Sequence, residues 1–367
     1  MRISRRGVIG AGLAMPCLAM PWVRPSYAGA GTLNVYNWSD YIGESTVDDF
    51  QTETGINVLY DLYASAEEMQ ARMEAGAAGY DLVVQSATAL PRMVKAGIYQ
   101  PLDRRLLKNW GNLDAALLKI VASVDPGNAY GAPYLWGSVG FTVNVDQVQA
   151  RLPGADLTDL GTYLNPDTAA KLADCGISLL DSPPDLGFMV MSWLGVDPSR
   201  AGPDDIARMV SALKAVKPFV RGFDNGGYLD ALPDGKLCVA NTWSADFGVA
   251  RDRVAEAGLS TNLRYVVPKS GAPAWFDLWC VPKDAAQVGN AHAFIDYLLR
   301  PDVIAKCSDY TGYANANAAA TPLVDRAISG DPAIYPDAQT RARLYMAAPL
   351  NDDLDAALTR AWAEVKR

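Results

Sequence analysis

The sequence predicts an α/β chain of about two domains, with a mostly parallel sheet flanked by helices read directly from its first hundred mature residues. Three observations predict it. Strand-length apolar runs alternate with helix-period segments through the first hundred residues after the N-terminal stretch, and that β-α-β-α-β rhythm calls for parallel strands with helical crossovers. The 367 residues amount to about two domains at roughly 100–200 residues each. Half of the chain is hydrophobic and a fifth is charged, which excludes a disordered acidic tail, a collagen or a disulfide miniprotein.

The elements follow in order. Residues 1–28 carry Arg2, Arg5, Arg6 and Arg24 without an acid, an apolar stretch from Val8 to Val23, and a small-x-small ending at Ser26-Tyr27-Ala28. They read as a cleaved signal peptide, and Arg5-Arg6 after Ser4 makes it similar to a twin-arginine export signal, so the destination is the periplasm. Leu33–Tyr36 reads as a strand, Thr46–Thr54 as a helix stopped by Gly55, and Ile56–Tyr60 as a second strand. Ser65 and Glu68 form a capping box ahead of Met69 and Met73, Gly76 ends that helix, and Leu82–Val84 is a buried third strand. Further on, Leu237–Ala240 is apolar and strand-like. In Ala274–Val281, alternation places Trp275, Asp277 and Trp279 on one face. The helix Gly289–Leu299 lines up Ala291, Phe294, Ile295, Leu298 and Leu299 and is expected to close at Pro301; a last helix after Asn351 repeats the stripe with Leu354, Leu358, Ala361 and Val365. No repeat of solenoid period is visible.

Charge and cysteine content narrow the chemistry. The formal net charge of −9 becomes more negative once the arginines of the signal leave, so there is no basic stripe for a nucleic acid, and a small cationic partner suits the field. Cys17 leaves with the signal. Cys175, Cys238, Cys280 and Cys307 remain; their spacing fits no zinc pattern, and their three possible pairings are left open by the sequence. His292, the sole histidine, lies beside a helical apolar stripe with no nucleophile motif near it, and no G-x-S-x-G, H-E-x-x-H or P-loop pattern occurs. No enzyme, cofactor or metal is expected.

Parallel α/β sheets bind ligands in the loops beyond the carboxyl ends of their strands. Those loops share one character here. Asn37-Trp38-Ser39-Asp40-Tyr41 follows the first strand, Ser86 the third, and Asn241-Thr242-Trp243-Ser244-Ala245-Asp246 the later one, while Asp277 stands between two tryptophans. An aromatic wall with carboxylates at its ends complements an alkyl chain carrying ammonium groups. Apolar faces cover methylenes at roughly 0.8 kcal/mol each, a ring face adds about 0.5–2 kcal/mol for a cation, and carboxylates accept charge-assisted N–H bonds. Spacing alone leaves open that the tryptophans are core and the aspartates caps.

At these residues the chain resembles the periplasmic polyamine-binding proteins of bacterial ABC importers, and within them the putrescine-binding members most. The resemblance runs through Val35-Tyr36-Asn37-Trp38-Ser39-Asp40-Tyr41-Ile42, Tyr80-Asp81-Leu82-Val83-Val84 with Ser86, Gln100-Pro101-Leu102-Asp103, Leu298-Leu299-Arg300-Pro301-Asp302-Val303 and Tyr313-Ala314-Asn315-Ala316-Asn317. It implies a type II-like clamshell with two crossover strands and a ligand cleft between lobes: 31–137 with 262–312 as lobe 1, and 138–261 with 313–367 as lobe 2. It implies that Trp38, Tyr41, Trp243, Trp275 and Tyr313 form aromatic walls, that Ser39 and Asp40 lie near one amine, that Ser86 is a serine on the cleft, that Asp246 supplies the second lobe's carboxylate and Asp277 the acid for the other amine, and that Cys175 pairs with Cys238. It also implies a monomer that passes putrescine to ABC permease subunits.

Three departures from the family pattern bear on cargo. Asp185, after Pro183-Pro184, replaces a glutamate and is one methylene shorter; Trp275 replaces a phenylalanine; Gly226-Gly227 replaces serine-containing polar residues. The diamine class survives these changes, while spermidine or another cationic amine stays open as the cargo; a sugar, which also suits Trp and Asp, is the remaining alternative, and Cys280 and Cys307 read as buried free thiols.

Overall fold

The computed structural model describes residues 31–76, 79–346 and 352–367; the expected signal peptide at 1–28 lies outside them. Among the described residues no helix is long and apolar enough to cross a membrane.

Among the described residues twelve strands form one sheet: β1 (Thr32–Trp38), β2 (Asn57–Tyr63), β3 (Leu82–Ser86), β4 (Tyr99–Gln100), β5 (Gly131–Asn144), β6 (Ile177–Leu179), β7 (Gly222–Phe223), β8 (Val239–Trp243), β9 (Leu263–Val266), β10 (Ala272–Pro282), β11 (Ala314–Asn315) and β12 (Leu344–Met346). The main path is β2-β1-β3-β10-β5-β8-β6-β7. Each end is a parallel trio, β2-β1-β3 and β8-β6-β7, and the two are joined through antiparallel β10 and β5. The two-lobed α/β architecture follows from β5. Its first half pairs with β10 and its second half with β8 and β9, so one continuous strand belongs to both lobes.

The second crossover is not a continuous strand. Between β9 and β10 the chain makes a turn closed by Gly271 N–H to Pro268 O at 3.0 Å. β9 pairs with the second half of β5, and residues 314–317 join its first half and the 114 region: Ala314 and Asn315 pair with Trp136 and Leu135, and Asp114 N–H donates to Ala316 O. The C-terminal helix Asp352–Lys366 packs on the helix Pro203–Val216 through buried Leu358, Trp362 and Val365, and so returns to the second lobe. Arg251, in the helix Ser244–Glu256, ion-pairs with Asp331.

Local signals explain most early elements. Gly55 ends the first helix at φ 75°, a left-handed conformation that costs glycine little. Ser65 caps the second by accepting from Glu68 N–H at 3.1 Å, whereas the Glu68 carboxylate reaches Ala64 N–H rather than its own cap. Pro301 does not simply close the helix Val288–Leu298. It opens the next one, Pro301–Thr311, at the first helical position where its missing N–H is not needed.

β5 was not expected, and all fourteen of its residues are buried. Covered on both faces, it shows no alternation, and Gly131, Pro133, Gly137 and Gly140 break its apolar run. Where the register slips, Tyr134 and Leu135 together stand opposite the single Asp277 of β10.

Gly137 sits where β5 passes from one lobe to the other. A Cβ there would lie 2.5 Å from Trp275 Cζ2 and 2.7 Å from Ser244 Oγ. Gly137→Ala is expected to destabilise the protein by about 1–3 kcal/mol through overpacking and to displace the Trp275 ring. Urea unfolding checks the first effect and ligand titration the second; unchanged values for both would refute this close packing.

Candidate functional site

The site is built from strand ends. β1 delivers Trp38, and buried Asn37 pins the loop beyond it by accepting from Trp38 N–H (2.8 Å) and donating to Tyr60 Oη (2.6 Å) and Tyr41 O (3.4 Å). Tyr134 Oη donates to the same Tyr41 carbonyl at 2.7 Å. β3 ends in Ser86, which the sheet register places opposite Asp277 of β10. From the second lobe, β8 ends in Trp243, and the helix that begins at Ser244 carries Asp246 in its first turn, where the helix dipole favours an acid. Ser138 N–H donates to Ser244 Oγ at 3.3 Å, tying that helix start to the lobe-crossing strand.

These elements enclose a cavity of about 540 Å³ lined by Trp38, Ser39, Tyr41, Ala66, Ser86, Trp243, Asp246, Trp275, Asp277 and Tyr313. The rings contact one another edge to face: Tyr313 lies 5.6 Å from Tyr41 and 5.3 Å from Trp275. Among the described residues no lysine or arginine belongs to the lining.

Two carboxylates therefore face this space without a cation. Asp277 is 8% exposed and accepts from Tyr41 Oη at 2.9 Å; burial pushes its carboxyl up to about 6 despite that bond. Asp246 accepts from Tyr228 Oη and is likewise raised by burial. Tyr313 lies within reach of both acids: burial and then the charges of Asp246 and Asp277 push its phenol up to about 12. Tyr313 thus marks the space between them.

Two expected site residues lie outside the lining. Asp40 is exposed in the turn after Ser39, at φ 52°. Asp185 sits behind Trp243, where one oxygen, Oδ2, accepts from Trp243 Nε1 (3.2 Å) and Ser182 Oγ (2.8 Å). Trp279 shares the β10 face of Trp275 and Asp277 but is buried below the cavity, its ring against Tyr134 and Phe294. Sequence reasoning missed Ala66 in the wall and Asn37, Tyr134 and Tyr228 behind it; the placement of Asn37 beside Trp38 was the one available signal.

Other groups are committed to structure. His292 donates from Nδ1 to Val288 O and accepts Asp103 N–H at Nε2, so both ring nitrogens are occupied. Cys175 and Cys238 form a disulfide, whereas Cys280 and Cys307 are free and buried. A second cavity, of about 620 Å³, lies between Ala116–Ser123, Asp197–Ser199 and the 338–346 segment; its one carboxylate, Asp197, is held by Ser199.

The model of the family described as bacterial extracellular solute-binding protein matches residues 45–336. The chain is 43% identical to the putrescine-binding periplasmic protein PotF of Escherichia coli, and 38% identical to the putrescine-binding periplasmic protein SpuD of Pseudomonas aeruginosa. Each match covers 91% of both partners. Among solved structures it is similar to the spermidine/putrescine ABC transporter substrate-binding protein PotD of Streptococcus pneumoniae, with TM-score 0.79 and 25% identity over 92% of this chain and 98% of that one.

Proposed function

The chain belongs to the bacterial extracellular solute-binding proteins, and from that membership we propose that it captures a short diamine, putrescine first, in the periplasm and hands it to an ABC permease. The observation that carries this reading is the pair of acids on one ring-lined cavity, Asp277 buried and Asp246 half-buried, with no lysine or arginine among the described residues of the lining. A dication supplies the missing charge at both. Each ammonium is donor-only and each carboxylate acceptor-only, so their bonds are charge-assisted, while the rings cover the methylenes. A micromolar dissociation constant, about −8 kcal/mol, is within reach of such a set after ordering costs. A neutral sugar would leave both buried acids uncompensated.

Asp277 and Ser86 come from one lobe and Trp243 and Asp246 from the other, so a ligand touching both acids favours the closed clamshell. We divide the lobes near Gly137 in β5 and in the turn before β10, with the 314–346 segment on the first lobe and the C-terminal helix on the second.

Binding is expected to depend on pH. The Asp277 carboxyl titrates near 6 in the unliganded protein, above its ordinary value, so this group makes the free protein less stable as pH rises through that point. The ligand needs the ionised form. Affinity for putrescine should therefore strengthen by about tenfold from pH 5 to 7.5, with most of that between 5 and 6, and Asp277→Asn should flatten the profile. Titration calorimetry at several pH values is the check, and a flat profile in the unsubstituted protein would contradict the role given to Asp277.

A further inference from the structure

We propose that the cavity of about 620 Å³ where the lobes meet is a second binding site, which takes a small amphipathic monocarboxylate and is coupled to lobe closure. It shares no residue with the diamine cavity, and its size is ordinary for a small-molecule site. Its apolar walls come from Pro198, Leu344 and Met346, which are buried, and from half-buried Ile120. Two cations belong to the lining, Lys119 and Arg341. Arg341 Nη1 donates to Asp114 Oδ2 at 2.8 Å, while its buried Nε–H is bonded to nothing among the described residues. Asp114 also caps the helix Ala115–Val121 by accepting from Ala116 N–H, and Asp197 of the lining is taken up by Ser199 and by Arg200 at 3.7 Å. Lys119 is exposed and has no ion pair among the described residues. One positive charge is thus left over beside an apolar wall. That is the complement of a single carboxylate on a hydrocarbon body, since the ammonium gives charge-assisted bonds and the wall covers methylenes. A dianion would bring a second charge with no partner.

The walls belong to different lobes on the division given above. The helix Ala115–Val121, which carries Lys119 and Ile120, is held to the first: Asp114 N–H donates to Ala316 O at 2.9 Å, and Ala316 N–H to Tyr134 O of β5 at 3.0 Å. The 197–199 turn follows the second-lobe helix Phe188–Trp193, and Val196 N–H ties it there by donating to Met191 O at 2.9 Å. β12 touches both sides. It pairs with the start of β10, and Tyr345 Oη accepts from Ser192 Oγ of that second-lobe helix at 2.8 Å. Movement of one lobe against the other therefore reshapes the cavity, and a molecule that fits one arrangement better shifts the same equilibrium that the diamine shifts. The coupling rests on the diamine clamshell reading; the chemistry of the site does not.

Hexanoate is the probe, with acetate and 1-hexanol as controls that keep only the charge or only the chain. Methyl NMR of the chain without residues 1–28 is expected to show saturable shifts at Ile120, Leu344 and Met346, with both controls at least about tenfold weaker. Lys119→Gln, at an exposed position, is expected to weaken hexanoate by about tenfold and to leave putrescine binding unchanged. Ala116→Trp, exposed on the same helix, is expected to fill the space and abolish hexanoate binding, with circular dichroism confirming the fold of both variants. Saturating hexanoate is expected to change the dissociation constant of putrescine by about threefold or more, and putrescine to change that of hexanoate by the same factor. Absence of saturable shifts at those methyls, equal binding of hexanol and hexanoate, or unchanged affinity in a folded Lys119→Gln or Ala116→Trp overturns the site. Putrescine affinity that is indifferent to hexanoate overturns the coupling. Failure of putrescine to bind at all would overturn the diamine reading and the coupling together, while the site is decided by hexanoate alone.

Discussion

Exchanging Asp246 and Asp277 together for asparagine is expected to weaken putrescine binding by at least about a thousandfold, since losing one partner of a buried charge pair costs about 2–5 kcal/mol or more. The change is close to isosteric. The asparagine carbonyl oxygens still accept from Tyr228 and Tyr41, so the walls should stay in place. Burial raises both carboxyls, so each charge is a burden on the unliganded fold, and the double variant should be as stable as the parent or more so near neutral pH. Weak binding combined with a retained melting temperature is the signature of charge pairing. Each single variant should lose about thirtyfold or more. Retained affinity in the double variant would show that the rings, not the acids, hold the ligand.

The second large effect concerns stability rather than binding. Cys175 and Cys238 close a loop with a sequence separation of 63 within the second lobe, tying the start of β6 to the start of β8, its parallel neighbour. Chain-entropy reasoning for a loop of that length gives about 4 kcal/mol of stabilisation. Replacing both cysteines by serine is therefore expected to lower the urea midpoint by that order while putrescine still binds with one-to-one stoichiometry in the folded fraction. An unchanged midpoint would mean that the denatured chain is already constrained there without the bridge.

The legible parts of the molecule were those set by local chemistry. Parallel strands with short apolar cores, Gly55 at a helix end and Ser65 at a helix start need only neighbouring residues to be read. Trp38 and Trp243 could be singled out because each sits at a strand end within a few residues of an acid, and both line the cavity.

What escaped was decided by tertiary contacts. β5 is buried on both faces and interrupted by glycines and Pro133, so neither alternation nor a clean apolar run announces it. Asp40 and Asp185 carry the right chemistry in the right loops. One is left exposed by a left-handed turn and the other is captured by an indole N–H, and spacing encodes neither fate. Tyr228 reaches Asp246 from eighteen residues upstream, a contact that exists only after the second lobe has folded. The same holds for residues 314–317, whose place is set by the pairing of Ala314 and Asn315 with Trp136 and Leu135 of β5.

Calorimetric titration of the chain without residues 1–28 against putrescine, cadaverine, spermidine and spermine at neutral pH puts the central claim to its most direct trial. Saturable one-to-one binding of putrescine, at a dissociation constant of about a micromolar or below, is the predicted result. Absence of heat with all four amines, or tight binding of a neutral sugar in their place, would contradict it.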